Sequence, residues 1–117
     1  MPKCIFCQIA QKKVKTKSLY EDKNIIAFWD IKPATKIHII IIPKRHFNSL
    51  NKVSESKTEL LGKMIIVAKN LAKKFKIDKS GYKLVINTGP DANQTIKHLH
   101  IHLLGGQPLH TKKILEI

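Results

Sequence analysis

Six histidines occur in this chain, and three of them fall in one pentapeptide, His98-Leu99-His100-Ile101-His102. On an extended strand, alternate side chains leave by the same face, with about 7 Å between alternate Cα atoms. The three imidazoles then share one side, and Leu99, Ile101 and Leu103 share the other, which must face the core. Three readings compete for such a row. It is a polar strand edge with no chemistry, or a metal site, since alternate histidines on a strand bind zinc or iron. Or it is a nucleophilic site for phosphorus chemistry: a neutral imidazole attacks, its neighbours steady the anionic oxygens and protonate the leaving group, and water frees the product. A histidine with an ordinary pKa of about 6.5 is largely neutral at physiological pH and suits that role. The metal reading needs a carboxylate or a further histidine nearby, and no Asp or Glu lies between Asp91 and Glu116.

The second constellation is Cys4 with Cys7. A disulfide framework would want more cysteines and wider loops. The spacing alone reads as half a metal site, or as nothing.

Elements must position these groups. Residues 4–10 are mixed apolar and suit a short helix, followed by a lysine-rich stretch. Leu19-Tyr20-Glu21 and residues 25–30, separated by a turn at 22–24, read as a hairpin, because the second run carries β-branched and aromatic side chains. Residues 37–42 form a strong strand stopped by Pro43, which has no amide hydrogen for a ladder. Leu60, Leu61, Met64, Ile65, Ala68, Leu71, Ala72 and Phe75 recur at helical spacing, and Ser56 with Glu59 fits a capping box at the start of that helix. Lys73, Lys74 and Lys76 gather in its last turns, where the dipole favours cations. Residues 82–87 and 96–104 read as two further strands around a polar loop. The order predicts an α+β domain with an antiparallel sheet, spanning residues 1–117 as one unit.

Composition narrows the partners. The 117 residues are 43% apolar, enough for a core, and 22 basic residues against 8 acidic give a formal charge of +14. That charge suits polyphosphates, nucleic acid or anionic lipid, or is simply solvated. Arg45 is the sole arginine, however, and lysine cannot supply the bidentate fork that sequence-specific nucleic-acid readers use. We therefore expect no nucleic-acid partner. No apolar run approaches the roughly 20 residues of a membrane span, and the first residues carry no signal-peptide stretch, so a cytoplasmic location and no membrane partner are expected.

The residues carry a resemblance. His98-Leu99-His100-Ile101-His102-Leu103-Leu104 matches the His-φ-His-φ-His-φ-φ signature of the histidine triad (HIT) superfamily, where φ is hydrophobic. The Gly105-Gly106 that follows resembles the Hint branch of nucleoside phosphoramidases. Phe28-Trp29-Asp30-Ile31-Lys32-Pro33 resembles that family's ribose-binding segment, and the stretch from His38 through Pro43 to His46 its central strand and exit. Asn87 and Asn93-Gln94-Thr95 resemble its phosphate-side loop. The segments follow the family's order over residues 4–110.

The resemblance implies a HIT-like fold: a five-stranded antiparallel sheet with one long and one short helix, pairing into the ten-stranded sheet of a homodimer. It implies a hydrolase or nucleotidyl transferase acting at the α-phosphate of purine nucleoside phosphoramidates or related adenylates, through a nucleotidyl-histidine. The alternative is a nucleotide-binding regulatory or adaptor module whose catalysis is vestigial. By matched position His100 is the nucleophile, His102 contacts the α-phosphate and helps the leaving group, and His38 completes the cluster. Asp30 accepts the ribose hydroxyls. Phe6, Ile9, Val14, Phe28 and Ile31 hold the base, and Asn87, Gln94 and Thr95 surround the phosphate. Cys4 and Cys7 resemble the metal-binding version of the family, completed by His46 and His98 as structural zinc, with no metal required for the chemistry. Asn93 stands where the family usually has glycine, Thr95 where it has serine, and Thr111 nearest its C-terminal tryptophan. His110 has no matched role.

Overall fold

The computed structural model describes residues 4–110; Thr111 lies outside them. A short helix α1 (Ile5–Ala10) precedes the hairpin of β1 (Ser18–Glu21) and β2 (Ile25–Trp29). The central strand β3 (Ile37–Pro43) follows, then the long helix α2 (Thr58–Lys74), β4 (Tyr82–Val85) and β5 (Ile101–Gly105). The strands form one sheet in the order β1-β2-β3-β5-β4, and every neighbouring pair is antiparallel. This is the five-stranded α+β architecture expected from the sequence.

Isoleucine builds the middle of the sheet. In β3 successive residues leave by opposite faces, so Ile39 and Ile41 enter the cluster under α2 while Ile40 and Ile42 pack with Phe6 and Phe28 on the reverse. A strand buried on both faces has no polar alternation to show, and burying each such side chain stabilises the fold by about 1.5–3 kcal/mol. The tight turn of the hairpin is closed by Asp22, whose Oδ1 accepts the amides of Asn24 and Ile25, each at 2.8 Å.

Four expectations need correction. The capping box is not formed: a 3₁₀ turn at Glu55–Lys57 feeds directly into α2, and the Ser56 hydroxyl meets that of Ser54 at 2.7 Å. Ile65 is 42% exposed, beside Ile66 at 45%, and Val67 takes its place in the buried stripe. Val67 lies three residues after Met64 and four before Leu71, squarely on the inward face. The strand expected over 96–104 is shorter, because ladder pairing begins only at Ile101 opposite Ile41. Pro43 offers no amide, and its carbonyl accepts instead from the His98 ring at 2.9 Å, while the Leu99 amide goes to the Phe47 carbonyl at 2.7 Å. The strand expected over 82–87 likewise ends at Val85.

Asn93 adopts φ +60° after the 3₁₀ turn Pro90–Ala92. Asparagine is the side chain that best replaces glycine in this left-handed region, so the loop keeps a glycine-like path. At the far end of β5, a Cβ on Gly105 would stand 2.6 Å from Ile77 Cδ1, and Gly106 has φ +85°.

Candidate active site and metal centre

The extended segment 98–102 sorts its side chains as alternation requires. Leu99, Ile101 and Leu103 belong to the core beneath α2. On the reverse face the rings run in sequence: the His100 and His102 centroids lie 4.9 Å apart, and those of His38 and His102 lie 5.1 Å apart. His38 reaches this face from β3, one register step along from the pair Ile39–Leu103.

The hydrogen bonds determine which nitrogen of each ring carries the proton. His100 Nδ1 lies 2.7 Å from the His98 carbonyl oxygen, which can only accept. In the neutral ring Nδ1 is therefore N–H and Nε2 holds the lone pair. His38 Nδ1 accepts the Ala34 amide at 3.0 Å, so its proton sits on Nε2, 2.8 Å from His102 Nδ1. His102 Nδ1 must accept, which leaves N–H at its own Nε2. One basic nitrogen on His100 beside one N–H on His102 is the arrangement a nucleophile and a phosphate donor need.

Burial keeps all these rings neutral. It lowers the pKa of His38, opposed by the Asp30 carboxylate, and lowers that of His100. Burial, with repulsion from His100 and His38, takes His102 down to about 4.

Asp30 joins this cluster to a cleft. Its Oδ2 lies 3.4 Å from His38 Nε2, and its Oδ1 accepts the Lys32 amide at 2.7 Å. The cleft, about 420 Å³, is lined by Phe6, Ile9, Val14, Phe28, Asp30 and Ile31, among others. All six residues expected at the base and ribose are thus brought together. Ile31 is 94% exposed and forms the rim. Ile40 and Ile96 also line the cleft and were not anticipated; in sequence both look like ordinary strand core. The residues expected on the phosphate side lie in and beside the loop before the triad. Gln94 Nε2 donates to the carbonyls of Asn48 (2.8 Å) and Ile96 (3.0 Å), and its Oε1 accepts the Gly89 amide at 2.9 Å. Asn87 Nδ2 donates to the Ala92 carbonyl at 2.8 Å. These two amides tie the loop together. Thr95 lines a separate hollow with Cys4 and His46. The exposed His110 sits beside β4 in a third cavity, of about 760 Å³.

The second cluster gathers Cys4, Cys7, His46 and His98, with all ligating atoms within 4.8 Å of one another. His98 Nε2 donates to the Pro43 carbonyl at 2.9 Å and His46 Nε2 to Asn48 Oδ1 at 2.7 Å. Both Nδ1 lone pairs are thereby turned toward sulfur: Cys4 Sγ is 3.3 Å from His98 Nδ1, and Cys7 Sγ is 3.1 Å from His46 Nδ1. A tetrahedral ion with metal–sulfur bonds near 2.3 Å and metal–nitrogen bonds near 2.0 Å would hold such atoms about 3.5 Å apart. Burial and the neighbouring Cys4 raise the pKa of the Cys7 thiol, a shift that a divalent cation would reverse. The donor set fits a metal ion, with outer partners orienting both histidines.

Asp30, His38 and His102 form another two-histidine, one-carboxylate group. The carboxylate absent from the sequence neighbourhood of the triad is supplied by the residue after β2. A metal at His38 Nε2 would have to drive that proton onto Nδ1, against the Ala34 amide.

This fold, with a histidine row on one sheet face and a helix on the other, defines a class. Residues 3–114 match the family model described as scavenger mRNA decapping enzyme C-terminal binding. A solved HIT family hydrolase from Legionella pneumophila is 40% identical, superposes with a TM-score of 0.91, and is covered over 99% of its length by 95% of this chain. The chain belongs to the histidine triad superfamily. Among its relatives, the purine nucleoside phosphoramidase of Escherichia coli is 39% identical over 105 residues, 90% of this chain and 88% of that one. A zinc-bound histidine triad family protein from Mycobacterium smegmatis is 28% identical with a TM-score of 0.77, over 91% of this chain and 76% of that one. Among the described residues, no helix is long and apolar enough to cross a membrane.

Proposed function

We propose that this chain hydrolyses purine nucleoside phosphoramidates or related adenylates at the α-phosphorus, through a nucleotide held covalently on His100. The observation that carries the reading is the bond from His100 Nδ1–H to the His98 carbonyl, which leaves Nε2 as the attacking atom. Attack forms the N–P bond, and positive charge spreads over the ring, where the carbonyl dipole facing Nδ1–H stabilises it. His102 Nε2–H is turned to the scissile P–N bond, with the His38 Nε2 proton shared at its Nδ1. The Nε2 proton passes to the departing amine as the P–N bond breaks, and the His38 proton moves across to His102 Nδ1. Water then attacks phosphorus, returns its proton to His102, and releases the nucleoside monophosphate with His100 neutral again. His38 holds His102 in the required tautomer, and Asp30 accepts the ribose hydroxyls in front of the apolar cleft.

The Cys4, Cys7, His46 and His98 set is proposed to hold structural zinc, supported by the two outward-bonded imidazoles and the zinc-bound relative. Pairing into a homodimer through the outer edge of β4 is supported by that strand's half-buried residues and by Ile65 and Ile66 on α2. The decisive test of the enzymatic reading is His100→Asn. Turnover of adenosine phosphoramidate should vanish, with AMP still binding, and mass spectrometry of the quenched native enzyme should find a nucleotidyl adduct on His100. Undiminished turnover in the variant would refute the mechanism.

A further inference from the structure

We propose that the Cys4–Cys7–His46–His98 set positions the nucleotide site, so that a divalent metal there and a nucleotide in the cleft each strengthen the binding of the other through Phe6 and His98. The inference rests on the nucleotide reading of the cleft. Helix α1 has only six residues, far below the length at which an isolated helix holds its shape in water. It depends on its anchors, and Cys4 at its N-cap and Cys7 within it supply both sulfurs of the cluster. Phe6 lies between them. Its ring meets Phe28, His98 and His100 edge-on, with centroids 5.6, 5.8 and 5.1 Å away. Phe6 and Ile9 also wall the cleft. Thus the helix that the sulfurs fasten carries part of the base site and packs against the nucleophile.

The second route runs through the backbone. His98 presents its ring to the sulfurs and its carbonyl to His100 Nδ1. Pairing of β5 with β3 begins only at Ile101, so this carbonyl is located by the Leu99 amide on the Phe47 carbonyl, at 2.7 Å, together with the His98 ring in the sulfur cluster. A metal that immobilises α1 and His98 therefore removes freedom that a nucleotide would otherwise have to remove, and the reverse holds by linkage.

Calorimetric titration with AMP tests this on the zinc-loaded protein and on protein stripped by a chelator, with circular dichroism confirming that the sheet and α2 persist. Stripping should weaken AMP binding about tenfold, and saturating AMP should raise zinc affinity, read by competition with a chelator, by the same factor. Phe6→Leu keeps both sulfurs and an apolar side chain but removes the bridging ring. It should shrink the effect of AMP on zinc affinity, and this reading stands even if the stripped protein loses its fold. Equal AMP affinity with and without zinc, or an undiminished effect in Phe6→Leu, overturns the proposal and leaves the enzymatic reading intact. Failure of AMP to bind the loaded protein overturns both.

Discussion

At the scale of single residues, the chemistry is decided by which ring nitrogen carries a proton, and backbone groups decide that. The Ala34 amide and the His98 carbonyl assign opposite tautomers to His38 and His100. Burial holds the His100 pKa below that of an exposed histidine. The neutral form is the attacking form, so the acid limb of kcat/KM should have its midpoint below about pH 6.5, and activity should fall as pH drops through it. A pH–rate profile with its acid limb at or above that value would contradict this account. Asp30→Asn should act differently. It keeps the shape but weakens acceptance from a ribose diol, so KM should rise for ribonucleotide substrates more than for their 2′-deoxy analogues, which steady-state kinetics can read.

Elements locate these groups. Met64 and Ile65 are adjacent on α2 and differ only in facing: the first is wholly buried against the sheet and the second is 42% exposed. Met64→Ala should cost about 2–5 kcal/mol in urea unfolding. Ile65→Ala, in the unpaired chain, should cost less than about 1 kcal/mol. The loop before the triad depends on Asn93 at φ +60°. Asn93→Ala should lose about 1 kcal/mol and Asn93→Gly almost nothing, since only the alanine Cβ is strained there.

For the whole molecule, the histidines make the fold sensitive to acid. Burial takes the His102 pKa down to about 4 in the fold, against about 6.5 in an unfolded chain. Between those values the unfolded state binds more protons, so stability is greatest above pH 6.5 and drains away as pH falls toward 4. His102 contributes roughly 3 kcal/mol to that loss. Denaturant midpoints at pH 7 and pH 4.5 should therefore differ sharply, and coincident midpoints would rule this linkage out. The proposed dimer belongs to this scale too. Ile66→Lys on the exposed side of α2 should shift the mass measured by light scattering toward that of one chain, with the circular dichroism of the fold retained.

What the chain's order of residues determined was whatever repeats with a local period or carries a family signature. Alternation placed Leu99, Ile101 and Leu103 beneath α2 and the three imidazoles on the opposite face, helical spacing placed most of the buried stripe of α2, and the motif set named Asp30 and the four residues of the cysteine–histidine cluster. What only tertiary structure decided was contact between groups far apart in sequence. It brought Asp30 to a triad with no carboxylate of its own nearby. It started β5 late, at Ile101, because Pro43 gives its carbonyl to a side chain, and it turned the Gln94 amide inward to bind its own loop. Periodicity reports which face a side chain takes; the partner waiting there, and hence the tautomer and the charge, depends on backbone dipoles that no residue type reveals.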